Sequence, residues 1–416
     1  MKLLVYQDST LVGELFTAAQ GVSFTYAPAY LQSAAYPISL SLPLTSEPFT
    51  QKNALPFFEG LLPEEQQRLD LSRFLHTSAT STMRLLKALA GECVGNLTLL
   101  DEDVSADAAH QENGYRALPA DELELLLRPQ SAERLRFLAY GRLSLAGAQA
   151  KFGLYEEGGC WYATQGLAPT THIIKPASAE YESLLLNEFF MMRLAQACGL
   201  SSATTSIVTA GSAYGLAVER FDRLRQPGCV ARLGQEDFCQ ALSVMPQEKY
   251  EADGGPGFEQ LFQTTLLYAS SPREDLRQLM RVLLFNYLIG NCDAHAKNFS
   301  LVRDLSSGSL RLAPAYDLVS TTFYGDALFR SMAMKIGEHS HIDRITTTDF
   351  ELLSIKAGVS LRAISTEMAL LREAIARALA EVTVQVTDEL PSARDDAACL
   401  QTHVERELDL RSAVLR

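Results

Sequence analysis

One stretch, residues 284–302 (LFNYLIGNCDAHAKNFSLV), limits this chain more than any other. An apolar run of helical type, Leu283-Leu284-Phe285 through Leu288-Ile289, stops at Gly290-Asn291. Asp293, His295, Lys297, Asn298 and Ser300 follow at once, and Phe299, Leu301 and Val302 then resume the alternation of a strand. A hydrophobic core has no use for Asp, His, Lys and Asn within six residues, because each is costly to bury without a partner. The pattern therefore predicts a buried helix that delivers a polar loop, with a strand carrying the chain away. A turn of solvated charges is the plain alternative, and spacing is what separates the two.

That spacing is the one phosphoryl transfer uses. In protein kinases the Asp that accepts the substrate hydroxyl proton stands five positions before a metal-binding Asn, and a second metal-binding Asp follows on a later strand. Here Asp293 stands five positions before Asn298, and Asp317, in Tyr316-Asp317-Leu318, lies nineteen beyond Asn298. A metal-hydrolase reading of Asp293-Ala294-His295 is weaker, since no further His falls at ligand spacing nearby.

Composition narrows the class. At 416 residues, with 47% hydrophobic and 21% charged residues, the chain is long enough for two or three domains with real cores. Its net charge of −14 argues against a general nucleic-acid-binding surface. The seven cysteines are scattered, odd in number and without a CxxC pair, as expected of reduced thiols. The N-terminal apolar run breaks at Gln7-Asp8, and no stretch approaches the roughly 18 apolar residues of a membrane span. A soluble, cytoplasmic protein with no membrane partner is expected.

Taken in order, residues 2–7 and 10–16 read as an opening hairpin around Asp8-Ser9. Residues 38–44 alternate strictly and read as a third strand, 57–69 and 82–88 as helices, and 93–100 as a strand. Residues 101–114 are acidic, small and polar, a linker or exposed loop, and 119–127 form a short amphipathic helix. Between residues 142 and 151, small residues sit among strand-like ones, so a backbone could approach phosphate there; a tight hairpin explains them equally well. Residues 152–155 pair with 160–163. Lys175 ends a short apolar strand, either as a snorkelling edge residue or as the strand lysine that meets nucleotide phosphates. Residues 183–198 form an amphipathic helix with Glu188 inside it, closed by Gly199. Val218-Glu219-Arg220-Phe221 fits a kinase hinge that meets an adenine edge. From residue 235 helices dominate, at 235–242, 257–267, 273–289, 348–357 and 361–384.

Several segments, in one order, carry a resemblance: RLSLAGAQAKF, THIIKP, NEFFMMRLAQACGL, LAVERFDR, QEDFCQALSVMPQEKYEADGGPG, LIGNCDAHAKNFSL and LAPAYDL, with SLPL, FFEGLLPE and GECVGNLTL before them. Together they resemble the HipA family of bacterial serine/threonine kinases, toxins of HipA–HipB toxin–antitoxin modules. The resemblance implies an α/β (α+β) protein with a two-lobed protein-kinase-like fold. It would comprise an N-terminal α+β subdomain at 1–110, a kinase N-lobe at 111–224 and a mainly helical C-lobe at 225–416.

The family pattern also implies roles. Asp293 matches the catalytic base, and Asn298 and Asp317 match the Mg²⁺ ligands. Ala146, Gly147, Ala148, Gln149, Ala150 and Lys151 match the phosphate-binding loop, and Lys175 the lysine on the ATP phosphates. Glu219, Arg220 and Phe221 match the adenine hinge, while His295, Ala296, Lys297 and Tyr316 would lie by the nucleotide. Ser144 matches the autophosphorylated serine. A HipB-like helix-turn-helix antitoxin, operator DNA reached mainly through it, and a protein substrate from the translation machinery are the implied partners. GxGxxG is absent, and Asn291-Cys292 stands where ordinary kinases have His-Arg before the catalytic Asp; neither departs from the HipA pattern. A phosphotransferase acting on a lipid or small molecule is the enzymatic alternative. A catalytically silent corepressor is the other, and the complete Asp293/Asn298/Asp317 set argues against it.

Overall fold

Leu3 and Val5 alternate with less buried neighbours, and Leu15 and Phe24 sit with them in one core. Strands Lys2–Gln7 and Thr10–Ala18 form the expected opening hairpin. They belong to an antiparallel sheet ordered Gly21–Tyr26, Thr10–Ala18, Lys2–Gln7, Leu97–Asp101. The computed structural model describes all residues except 34–35, 90, 105–112, 130, 142–144, 148, 178–182, 328–329 and 416. The chain divides into two compact units: Met1–Ala179, Val208–Pro246 and Val302–Gly308; and Glu180–Ile207, Gln247–Leu301 and Ser309–Arg416.

In the first unit, the third strand is Gly21–Tyr26 and not residues 38–44. Residues 38–44 alternate because Ser39 and Ser41 are bound by Glu236 and the Gln240 carbonyl around a single Ser39↔Leu42 bridge. The predicted helix at 57–69 is two helices, Gln51–Glu59 and Glu65–Phe74, parted at Gly60–Glu64. Phe57, Phe58, Leu61 and Leu62 are all buried in the core, so the apolar periodicity runs through the break. A second sheet has the order Gly114–Ala117, Cys160–Gln165, Phe152–Glu157, His172–Pro176, Ala213–Glu219, Thr205–Ala210. The pairing expected between 152–155 and 160–163 is present, with Glu157 opposite Cys160. Residues 235–242, expected as a helix, are the strand Gly234–Asp237 followed by one turn, Phe238–Ala241, capped by Asp237 and Gln240. Much of the expected linker at 101–114 lies outside the described residues.

The second unit is mainly helical. In Leu361–Glu389 the buried positions are Ile364, Met368, Leu371, Ile375, Leu379, Val382 and Val386, a stripe spaced by three and four. That helix packs on Leu184–Ala197, Pro272–Ile289 and Arg394–Ser412. Leu184–Ala197 is buried around most of its circumference, which makes it a core helix and not the amphipathic one expected. Arg394–Ser412 escapes a reading by apolar periodicity because charged residues share its buried face: Glu407 and Arg411 are both buried and bonded at 2.8 Å. Among the described residues, no helix is long and apolar enough to cross a membrane.

Candidate active site

The polar loop takes its position from the helix Pro272–Ile289, whose last eight residues are all buried. Gly290 ends it at φ 74°, and a Cβ there would stand 2.0 Å from Thr322 Oγ1, so no other residue fits. The Asn291 N–H reaches back 2.8 Å to the Asn286 carbonyl. The Asn291 side chain bridges onward, its Nδ2 donating to Asn286 Oδ1 and its Oδ1 accepting the Asp293 N–H at 3.0 Å. Thr321 Oγ1 accepts the Cys292 N–H, and the Cys292 carbonyl accepts the Ala333 N–H at 2.7 Å. The loop is thus held through its main chain while the Asp293 side chain stays exposed. His295, Ala296 and Lys297 are buried.

Asn298 and Asp317 are brought together: Asn298 Nδ2 donates to Asp317 Oδ2 at 2.8 Å. Asp317 sits at φ 60°, a left-handed conformation that costs a non-glycine residue about 1–3 kcal/mol and persists only where its surroundings enforce it. They do. Two residues before it, Ala315 exchanges main-chain bonds with Ser201 and Ala203. Three residues after it, Ser320 is clamped by the fully buried Asn187, whose Oδ1 accepts the Ser320 N–H and whose Nδ2 donates to the Ser320 carbonyl. Tyr316 Oη donates to the Lys297 carbonyl at 2.7 Å, so in the 2.6 Å contact with Ser300 the serine is the donor.

The Asn298 Oδ1 atom is shut off from solvent and has no hydrogen-bond partner among the described residues, with a carboxylate alongside. A buried oxygen left in this way is what a hard cation satisfies. Two protein ligands suit Mg²⁺, which keeps waters and takes further oxygens from nucleotide phosphates instead of a full protein cage.

The remaining predicted residues lie in the first unit. Lys151 Nζ donates to the Ala146 carbonyl at 2.7 Å, and the Gly147 carbonyl accepts the Glu64 N–H at 3.1 Å. Gln67 donates to the Lys151 carbonyl, so the 146–151 segment is tied to the helix Glu65–Phe74. Ala148 and Ser144 lie outside the described residues. Lys175 is 7% exposed on His172–Pro176, a strand between two others, so it is not a snorkelling edge residue. Glu219 pairs with His172 at the end of the neighbouring strand.

Arg220 has a different setting from its neighbours. Its N–H donates to the Thr171 carbonyl, and its guanidinium is buried between Asp222 (2.7 and 2.9 Å) and Glu92 (3.3 Å). Arg223 binds the same two carboxylates. These arginines outweigh the burial that would raise the carboxyl pKa values, and hold Glu92 and Asp222 below the usual carboxylate range.

Tyr250 and Asn187 join the site through contacts that their sequence positions do not reveal. Tyr250 Oη donates to Asp293 Oδ1 at 2.7 Å from 43 residues away. In sequence both lie within segments that carry the family resemblance, QEDFCQALSVMPQEKYEADGGPG and NEFFMMRLAQACGL, with nothing local to single them out.

The chain is similar to known proteins along most of its length. A family model described as HipA N-terminal domain matches residues 3–100, and one described as HipA-like C-terminal domain matches residues 143–390. The chain is 38% identical to a putative kinase, Y4mE, of Sinorhizobium fredii, over 93% of both chains. It is 28% identical to the serine/threonine-protein kinase toxin HipA of Shewanella oneidensis, over 98% of this chain and 94% of that one. Among solved structures, the complex of Shewanella oneidensis HipA, HipB and operator DNA is similar at a TM-score of 0.85 and 26% identity, covering 99% of this chain and 98% of that one.

Proposed function

This chain belongs to the HipA family of kinases, and from that premise we propose that it is an ATP- and Mg²⁺-dependent serine/threonine protein kinase, the toxin of a toxin–antitoxin pair. The observation that carries the reading is the Asn298–Asp317 pair, in which Asn298 stands five residues beyond Asp293 and its buried oxygen has no hydrogen-bond partner among the described residues. Asp293 would accept the acceptor hydroxyl proton, and Asn298 and Asp317 would hold the metal. Bound Mg²⁺ would neutralise charge on the transferring phosphoryl group. Lys175 and the 146–151 segment would meet the phosphates, and Glu219 and Phe221 the adenine, with His295, Ala296, Lys297 and Tyr316 beside the nucleotide. The 2.9 Å bond from the Arg220 N–H to the Thr171 carbonyl supports a role for Arg220 in fixing the hinge. A division into an N-terminal part at 1–110, a nucleotide-binding lobe at 111–224 and a helical lobe at 225–416 is proposed; the gap between the two family models, after residue 100 and before residue 143, supports the first of these boundaries.

Incubation with labelled ATP and Mg²⁺, followed by mass spectrometry, tests the reading. Phosphate on protein serine or threonine is the expected result. Label only in free phosphate, lipid or small molecules would overturn it. Asp317→Ala should remove Mg²⁺-dependent nucleotide binding with the fold retained, as titration with and without EDTA would show.

The solved relative holds an antitoxin and operator DNA. A HipB-like helix-turn-helix partner is therefore the expected restraint here. With a net charge of −14 on this chain, most non-specific DNA affinity should come from that partner. The substrate is proposed to be a protein of the translation machinery.

Ser144 is the proposed autophosphorylation site. A phosphate there adds about −1.5 to −2 charges close to the segment proposed to meet ATP phosphates, so phosphorylated protein should bind ATP poorly and be inactive. Peptide mapping after ATP treatment and nucleotide titration of the modified form check this. An unmodified Ser144 in an enzyme that phosphorylates other proteins, or normal ATP binding by the phosphoserine form, would defeat the switch.

A further inference from the structure

We propose that Tyr250 is a positioning residue of the phosphoryl-transfer site, holding the Asp293 carboxylate in the orientation that receives the acceptor's proton; this rests on the kinase reading above. Its hydroxyl donates a 2.7 Å hydrogen bond to Asp293 Oδ1. The direction is fixed, because an ionised carboxylate only accepts, and bonds to a charged acceptor are the stronger class. The main chain of Asp293 is already held, its N–H by Asn291 Oδ1 and its carbonyl by the His295 N–H at 2.8 Å. The phenol adds a restraint on the rotation of the side chain. A carboxylate has about four lone-pair sites, so one bond to Oδ1 orients the group without exhausting it as a base.

One strand is bonded to the neighbours of both residues. Within Ser331–Ile336, the Ala333 N–H donates to the carbonyl of Cys292, next to Asp293. The Lys335 N–H donates to the carboxylate of Glu251, next to Tyr250, at 2.7 Å. The strand thus touches the chain next to Asp293 and the chain next to Tyr250.

The tyrosine's own segment is folded tightly. The Tyr250 carbonyl accepts the N–H groups of Asp253 and Gly255, and a Cβ on Gly255 would lie 2.1 Å from the Glu248 carbonyl oxygen. The ring meets His295 edge to face, at 5.3 Å between centroids and 80° between planes. A phenol anchored at so many points is a fixture of the loop and not a plug displaced by each substrate.

Tyr250→Phe keeps the ring and removes the hydroxyl. In the intact protein, kcat should fall about 10–100-fold, the range a charge-assisted bond commands, with KM for ATP unchanged. In an Asp293→Asn background the same change should cost nothing further, because Tyr250 acts through Asp293. Wild-type kcat, a faster enzyme, or an undiminished loss in that background would overturn the proposal. A second measurement does not need turnover. With 3-fluorotyrosine at position 250, the ¹⁹F resonance should move on Asp293→Asn, and an unmoved resonance would also overturn the proposal. If the wild-type protein transfers no phosphoryl group although that resonance moves, the kinase reading has failed while the contact stands.

Discussion

Asp293→Asn should lower phosphoryl transfer by about 10²–10⁴-fold, the usual worth of a positioned base, and leave ATP binding largely intact. The change is nearly isosteric and falls on an exposed side chain. The loop's shape depends on main-chain bonds at Cys292 and Asp293 and on the Asn291 side chain, none of which needs the carboxylate. The effect should therefore lie in kcat, because the base acts on the acceptor in the transition state and not on bound ATP. Single-turnover transfer from labelled ATP, with nucleotide titration alongside, measures both quantities. A variant that turns over at the wild-type rate would take this loop out of the mechanism.

Arg220→Ala should be the most destabilising single change at the candidate hinge, by about 3–5 kcal/mol. Arg220, Arg223, Glu92 and Asp222 are all buried, and the Gly95 N–H also donates to Asp222. Removing one arginine strands a carboxylate where water cannot repay the lost partner. Arg223 cannot compensate alone, because it already binds both acids. Urea unfolding of the variant beside wild type gives the comparison, and a difference under about 1 kcal/mol would mean that the cluster does not hold the fold. The sign of the pH dependence follows from Asp222 and Glu92. Both carboxyls are depressed in the folded protein, so their contribution is present above the ordinary carboxylate pKa and is lost only as pH falls through the folded values. Wild-type stability should hold down to about pH 4 on this account, and Arg220→Ala should flatten the acid limb.

Much of the candidate site was legible because its signals are local. The stop at Gly290, the spacing of Asp293 and Asn298, and the strand resuming at Ser300 are properties of neighbours in the chain. Lys175 was legible in type and ambiguous in setting. Its strand could be read from apolar residues, but its place between two other strands, which rules out the edge reading, belongs to the sheet. Glu188 shows the same limit: by default a helix carboxylate is on the surface, yet this one is 1% exposed, because the helix around it is buried on most sides. Residues 38–44 misled in the opposite sense, since strict alternation there reflects serines bound to distant acceptors and not a paired strand.

By itself the sequence determined the hairpins, the helix that ends at Gly290, the polar loop and the order of its chemical groups, all of which depend on side chains a few positions apart. Only the tertiary structure decided what holds them. Tyr250 reaches Asp293 across 43 residues, Asn187 clamps Ser320 across 133, and Glu92 meets Arg220 across 128. In sequence each of these is a polar residue that water would satisfy equally well. Around Asn187 and Glu92 burial removes the water, and the partners that the fold brings within reach then determine where those side chains must stay.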